Sequence, residues 1–133
     1  RVMMGSAYGV SSPVKTLAET LYVEAKLEPG QTLTLPDAEE RAVYVASGEL
    51  TARETTIPEH AMAVLDNTAG VEVTATQASR IAIIGGENMG KRFIDWNFVS
   101  SSQERIQQAR ENWKAGRFPK VPGDEEEYIP LPE

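Results

Sequence analysis

The sequence predicts an all-β barrel, followed by one α-helix and an extended C-terminal arm. Three observations predict it. Residues 1–99 divide into short segments of alternating apolar and polar residues, separated by Gly, Pro, Asn and Asp at intervals of about 8–12 residues. Nothing before residue 100 carries the 3.6-residue apolar period of a helix linking parallel strands. After residue 100 the period changes and a helix start signal appears.

The elements follow in order. Leu21, Val23, Ala25 and Leu27 alternate onto one face of a strand. Glu28-Pro29-Gly30-Gln31 is a type II turn, with Pro second and Gly third. Thr32 to Leu35 resumes alternation, and Ala42 to Ala46 is a strand broken by Ser47-Gly48. Glu49 to Ala52 follows, then a short apolar run from His60 to Leu65, ended by Asp66-Asn67. Val71 to Ala75 alternates again. Ser79 to Ile84 is β-branched and reads as a central strand, stopped by Gly85-Gly86. Ser101-Ser102-Gln103-Glu104 is a capping box, with Ser101 as the cap and Glu104 reaching back. Ile106, Ala109 and Trp113 make one stripe of a helix over about 102–115, with Gly116 just past its end and Pro119 beyond. That stripe is expected to dock on the barrel's outer face, since so short a helix needs tertiary contacts to persist. Past Phe118 come the acids Asp124 to Glu127, then Tyr128, Ile129 and Leu131 among prolines. This stretch reads either as an arm docked on the barrel or a partner, or as a solvated tail. The expected layout is a barrel over 1–99, with helix and arm over 100–133 belonging to the same domain.

Composition narrows the function classes. The 133 residues are 41% hydrophobic and 25% charged, a globular balance, with no apolar run near the ~20 residues of a membrane helix. No secretory leader is visible, and a start at Arg1 reads as a fragment or processed piece. Cysteine is absent, which excludes disulfides and thiolate sites and fits a reducing, cytoplasmic setting. The formal net charge of −7 disfavours direct nucleic-acid binding. Proteins or small molecules are the expected partners.

The strand rhythm resembles that of the cupin superfamily, whose first motif is Gly, five residues, His-x-His, three or four residues, Glu, six residues, Gly. From Gly30, Pro36 and Ala38 fall where the histidines belong; counting back from Gly48, Arg41 falls where the glutamate belongs. In the second motif the turn is Thr68-Ala69-Gly70, and Val73 takes the histidine position. A mononuclear site needs three or four convergent N/O ligands. The chain has one histidine, His60, which reads as a turn or surface residue; a weak cluster with Glu59 and Glu54 is the metal reading of it. Gly85 to Lys91 fits G-x-x-x-x-G-K, but Arg92 stands where a phosphate loop needs Ser or Thr, and no helix opens after it. Adjacent acids such as Glu39/Glu40 point to opposite faces of a strand and do not converge. Phe93, Trp96, Phe98, Trp113 and Phe118 surround the capped helix, as packing or as a platform for a flat ligand. No residue is assigned a catalytic, cofactor-binding or metal-ligating role.

The segments "VMMGSAYG", "LEPGQTLTLP" and "AVYVASGEL" resemble the opening of the pirin C-terminal domain, and "IAIIGGENMGKRFIDWNFVSSSQERIQQARENWKAGRFPK" resembles the end of bacterial pirin-like proteins. The resemblance implies a cupin-type double-stranded β-helix that is one half of a bicupin. In that family the N-terminal barrel holds a metal, usually iron, on three histidines and a glutamate. Some members are quercetin 2,3-dioxygenases and others are described as transcriptional cofactors or redox sensors. The C-terminal barrel generally lacks the ligands, so the motif has no positions here to be carried onto.

The expected function is a metal-free structural and interaction half. Iron or another divalent metal belongs only to an N-terminal half. The expected partner is such a half, of the same or another protein, with a homodimer and a small apolar or aromatic ligand as further expectations. Contacts are expected at the helix around Ile106, Ala109 and Trp113 and at the arm from Tyr128 to Leu131. Two other readings stand beside it. One is a metal-independent binding barrel whose apolar pocket would be lined by Val43, Val45, Met62, Val64, Val71 and Val73. The other is a metal-independent enzyme using carboxylates from distant strands.

Overall fold

The alternation from Leu21 to Leu27 becomes a full strand, with Leu21, Val23 and Leu27 buried and Ala25 half-buried. The computed structural model describes residues 1–132. It contains two units, one spanning Arg1–Asn88 and one beginning at Met89. In the first unit the strands are, in chain order, β1 (Val2–Met4), β2 (Ser6–Ala7), β3 (Val10–Ser11), β4 (Thr20–Leu27), β5 (Thr32–Thr34), β6 (Glu40–Ser47), β7 (Leu50–Ala52), β8 (Thr55–Ile57), β9 (Met62–Leu65), β10 (Glu72–Ala75) and β11 (Ser79–Gly86). One antiparallel sheet runs β1-β4-β11-β6-β9 and a second runs β5-β10-β7-β8, while β2 and β3 pair with each other.

The β-branched strand β11 is central, as its composition requires, pairing β4 on one side and β6 on the other. One hydrophobic cluster draws on both sheets: Val43, Val45, Ile81 and Ile83 from the first, Leu50 and Val73 from the second, all fully buried. This is the two-sheet β barrel that the sequence pattern predicts. The type II turn is present: Gly30 has φ +79°, and the Gln31 N–H donates to the Glu28 carbonyl at 3.0 Å.

Several boundaries differ from expectation, each for a physical reason. β11 runs through Gly85 and ends at Gly86, so the strand stops at the glycine pair but includes it, because the missing Cβ atoms let neighbouring backbone close in. A Cβ on Gly85 would lie 2.5 Å from the Glu40 carbonyl oxygen. Strand β8 leaves no signal in the sequence, since its three residues end at Ile57, before Pro58, and are too few for a period to show. The run from His60 becomes β9 only at Met62, since His60 sits in a turn at φ +63°.

In the second unit β12 (Phe93–Asp95) and β13 (Phe98–Ser100) form a two-stranded sheet, and α1 (Gln103–Lys114) packs on both. The expected barrel boundary at residue 99 thus falls inside this second unit. The cap is Ser102, not Ser101: its side chain accepts from the Arg105 N–H, and its hydroxyl donates to the Glu104 carboxylate at 2.6 Å. Ile106 is buried, Ala109 and Trp113 are half-buried, and Gly116 ends the helix at φ +64°. Arg110 pairs with Asp95 of β12. No helix among the described residues is long and apolar enough to cross a membrane.

Candidate functional site

A barrel of this kind does its chemistry, where it does any, from side chains pointing into the lumen. Here alternation decides what points inward. On β6, Arg41, Val43 and Val45 share the inner face, paired across β11 with Gly85, Ile83 and Ile81. Val73 of β10 is fully buried in the core. Pro36 and Ala38, in the link before β6, are half-buried. The positions that correspond to a metal set therefore hold a pyrrolidine ring, a methyl, a guanidinium and an isopropyl group. None of these fits a divalent cation.

Arg41 is the unexpected residue. It is 2% exposed, and its guanidinium donates to three backbone carbonyls. Nε reaches Asp66 O at 3.1 Å, Nη1 reaches Pro36 O at 2.9 Å, and Nη2 reaches Thr68 O. The Asp37 carboxylate lies 3.5 Å from Nη1 and is largely exposed. Arg41 thus ties the link before β6 to the loop after β9. Gly85, lacking a Cβ, leaves it room: an added Cβ would come within 3.3 Å of the Arg41 Cβ. Sequence reading placed Arg41 at a ligand position and missed this role. The signal was present, because an Arg sharing the period of Val43 and Val45 must face inward.

His60 stands away from any such set. Its side chain is exposed and its Nε2 is 3.4 Å from Glu59. Among the described residues no three His, Cys, Asp or Glu side chains are grouped to hold a metal, and Glu54 does not complete a cluster. The glycine-rich stretch from Gly85 to Lys91 leads into β12, not a helix, and the Lys91 ammonium sits 5.0 Å from the centre of the Phe93 ring. Glu39 accepts from the Asn88 N–H at 2.7 Å, a structural contact.

The proposed lining of an apolar pocket needs correction. Val43, Val45 and Val73 are packed core, while Met62 is 53% and Val64 is 82% exposed. Register is the reason: Val43 pairs with Ala63, so Ala63 and Leu65 take the inner face of β9 and Met62 and Val64 take the outer. A cleft of about 220 Å³ between β8 and β9 touches Val64 and Val71, below the roughly 300–1,000 Å³ of ordinary ligand sites.

The outer faces of the two sheets differ sharply in chemistry. Across the second sheet runs the row Thr32–Thr74–Thr51–Thr56, with Thr32 and Thr74 hydroxyls 2.8 Å apart. Such a row is compatible with water. Across the first sheet run Tyr22–Ile84–Ala42–Val64 and, beside it, Glu24–Ala82–Tyr44–Met62, with Met4 of β1 extending the first row. Within these two rows only Glu24 is charged; Lys26 and Arg80 lie beside it on the same face, with Arg80 paired to Glu24, and Met4, Ile84, Val64 and Met62 are exposed. Sequence reading missed the face because the strand pattern was read for one apolar side. The signal was in Ala42 to Ala46 and Ile81 to Ile84, where both alternating sets are apolar.

Hydrogen bonds depress three surface carboxylates. Arg80 holds Glu24 below its ordinary value, chiefly by a side-chain hydrogen bond. Thr68 does the same for Asp66, and Ser102 for Glu104. Burial raises the Tyr8 phenol, which donates to Thr34 O at 2.7 Å. A carboxylate depressed in the folded state stabilises above its unfolded pKa, about 4, and that contribution is lost as pH falls through the folded value. Urea midpoints are therefore expected to be flat from pH 7 to about 5 and to fall below about 4, less steeply in Glu24→Gln. A midpoint that rises on acidification contradicts these assignments.

Comparison with known proteins gives a consistent result. A family model described as the Pirin C-terminal cupin domain matches residues 22–119. A pirin-like protein of Caulobacter vibrioides is 43% identical over 134 residues, covering 100% of this chain and 46% of that protein. Human pirin is 31% identical over 118 residues, covering 81% of this chain and 40% of that protein. A crystal structure of quercetin 2,3-dioxygenase from Acinetobacter baumannii superposes with a TM-score of 0.84 at 22% identity, covering 99% of this chain and 46% of that one. This chain spans less than half the length of each of these proteins.

Proposed function

Since this chain belongs to the pirin family, as a Pirin C-terminal cupin domain, we propose that it is the metal-free, interacting half of a two-barrel protein. Any dioxygenase or redox chemistry would then reside in an N-terminal cupin half, the partner of this one, which would hold iron or another divalent metal. The observation that carries this reading is the apolar outer face of the first sheet. Exposed Met62, Val64 and Ile84, with Tyr22 and Tyr44 half-buried among them, form a surface unlike the threonine face opposite. Contiguous exposed apolar area of this kind marks an interaction surface. The lumen supports the same reading, since aliphatic packing and the Arg41 guanidinium occupy the ligand positions. A cysteine-free chain fits the cytoplasm.

The test is co-expression of this chain with the half of the Caulobacter relative that it does not match. The expected result is a complex that co-elutes on size exclusion, and that Val64→Asp with Ile84→Asp dissociates by at least about tenfold in affinity. Two species eluting apart, or a complex indifferent to both substitutions, would contradict the reading.

A further inference from the structure

The second unit contains a cleft that the proposed function does not use. It has a volume of about 440 Å³, within the range of small-ligand sites. Its walls are aromatic. Trp113 lies at the centre, edge-on to Trp96 at 5.2 Å and to Phe118 at 5.5 Å, and stacked on Tyr128 at 5.6 Å. The arm forms the other wall because it is tied to α1. The Trp113 indole N–H donates to Ile129 O at 2.9 Å, and the Tyr128 hydroxyl donates to Trp113 O at 3.3 Å. A turn closed by the Asp124 N–H on Val121 O at 3.0 Å then brings Asp124, Glu125, Glu126 and Glu127 to the rim.

Charge decides what such a cleft accepts. Four carboxylates line it against one ammonium, that of Lys120, which donates to the backbone carbonyl of Glu125 at 3.1 Å. Among the described residues none of the four carboxylates is in an ion pair. An anion is repelled, and a neutral flat ligand leaves the rim unused. A cation gains twice: from the aromatic rings that line the walls, and from the carboxylates around them. Between cations, the guanidinium suits the site better than an ammonium. It is planar, stacks on aromatic faces, is weakly hydrated, and carries five donors that engage carboxylates two at a time. Consecutive acids on an extended arm further suit a ligand that is itself extended.

We infer that this cleft binds the arginine side chain of a basic peptide segment of a partner protein, with the guanidinium between the aromatic walls and the acidic rim. The site is independent of the apolar sheet face.

The chain's two tryptophans both line the cleft, so intrinsic fluorescence reads occupancy directly. The probe is a short peptide with two arginines between glycines, titrated into the full chain; peptides with lysine or citrulline in their place, and N-acetyl-arginine amide, are the other arms. The expected result is a saturable fluorescence change with the arginine peptide, weakened by salt and weaker with lysine. Citrulline is expected to give none, and the single amino-acid amide to bind more weakly than the peptide. Glu126→Gln with Glu127→Gln, side chains in no ion pair among the described residues, should weaken binding about tenfold or more while leaving the urea midpoint unchanged. No saturable change at millimolar peptide, an equal response to citrulline or lysine, or full affinity in the double variant would overturn the inference. So would an amide that binds as tightly as the peptide, since the ligand would then be a free guanidinium compound.

Discussion

Replacing Arg41 by alanine is expected to cost about 4 kcal/mol of folding free energy. The guanidinium of Arg41 is the donor for the carbonyls of Pro36, Asp66 and Thr68, and the side chain is wholly buried. Removing it leaves three part-buried carbonyls without their donor, at roughly 1–3 kcal/mol each, and opens a cavity beside Gly85. Some of that is recovered if water enters, which sets the total near the lower end of the sum. At this chain length the melting temperature should drop by about 10 °C or more. Arg41→Lys should recover only part, because one ammonium cannot reach three carbonyls arranged around a planar fork. A loss below about 1 kcal/mol in Arg41→Ala would mean that the carbonyls are readily solvated and that Arg41 does not tie the two loops together.

The second large effect is expected at Gly48, in the Ser47-Gly48-Glu49 turn between β6 and β7. Its φ is +86°, and an added Cβ would lie 2.3 Å from Ser79 Oγ, 2.5 Å from Ala78 O and 2.8 Å from Ser79 Cα. Two of those atoms are backbone and cannot rotate away. The third is also fixed: Ser79 Oγ accepts from the Glu49 N–H at 3.0 Å and donates to a nearby carbonyl, Gln77 O lying at 2.8 Å. Gly48→Ala should therefore combine left-handed strain with a steric displacement of β11's first residue, about 3 kcal/mol in all. Gly116→Ala is the control. It has φ +64° but no atom within 4 Å of its would-be Cβ, so only the conformational cost, about 1 kcal/mol, should appear. Equal losses at the two positions would show that close approach contributes nothing at Gly48.

These two residues show what the sequence could and could not disclose. The glycine after Ser47 was readable as a strand break, but the contact that requires it comes from residues 78 and 79, thirty positions on. Period-2 alternation located the long strands β4, β6 and β11, and propensity placed β11 centrally. The type II turn and the helix end followed from local chemistry alone. Elements set by non-local contact were not readable in the same way. The two glycines form the last residues of β11 instead of following it, because Glu40 and Glu19 backbone approaches them. The face of β9 was assigned one residue out, which moves Met62 and Val64 from the lumen to the surface. The helix cap was shifted by one residue because Ser101 and Ser102 are both competent caps, and only the fold chooses between them.

The candidate site divides along the same line. That the strands offer no set of imidazoles could be read residue by residue from one histidine in the chain. What replaces the ligands could not, since Arg41 is chosen by the carbonyls of two loops distant in sequence. The apolar outer face likewise emerges only when strands from four parts of the chain are set in register.

The most direct test of the account is the metal content of the purified 133-residue chain after incubation with ferrous iron under anaerobic conditions and desalting, measured by mass spectrometry of the elements. Aliphatic packing and a buried guanidinium at the ligand positions predict iron, zinc and manganese far below one atom per chain. One equivalent of metal retained, and released by His60→Ala, would contradict it.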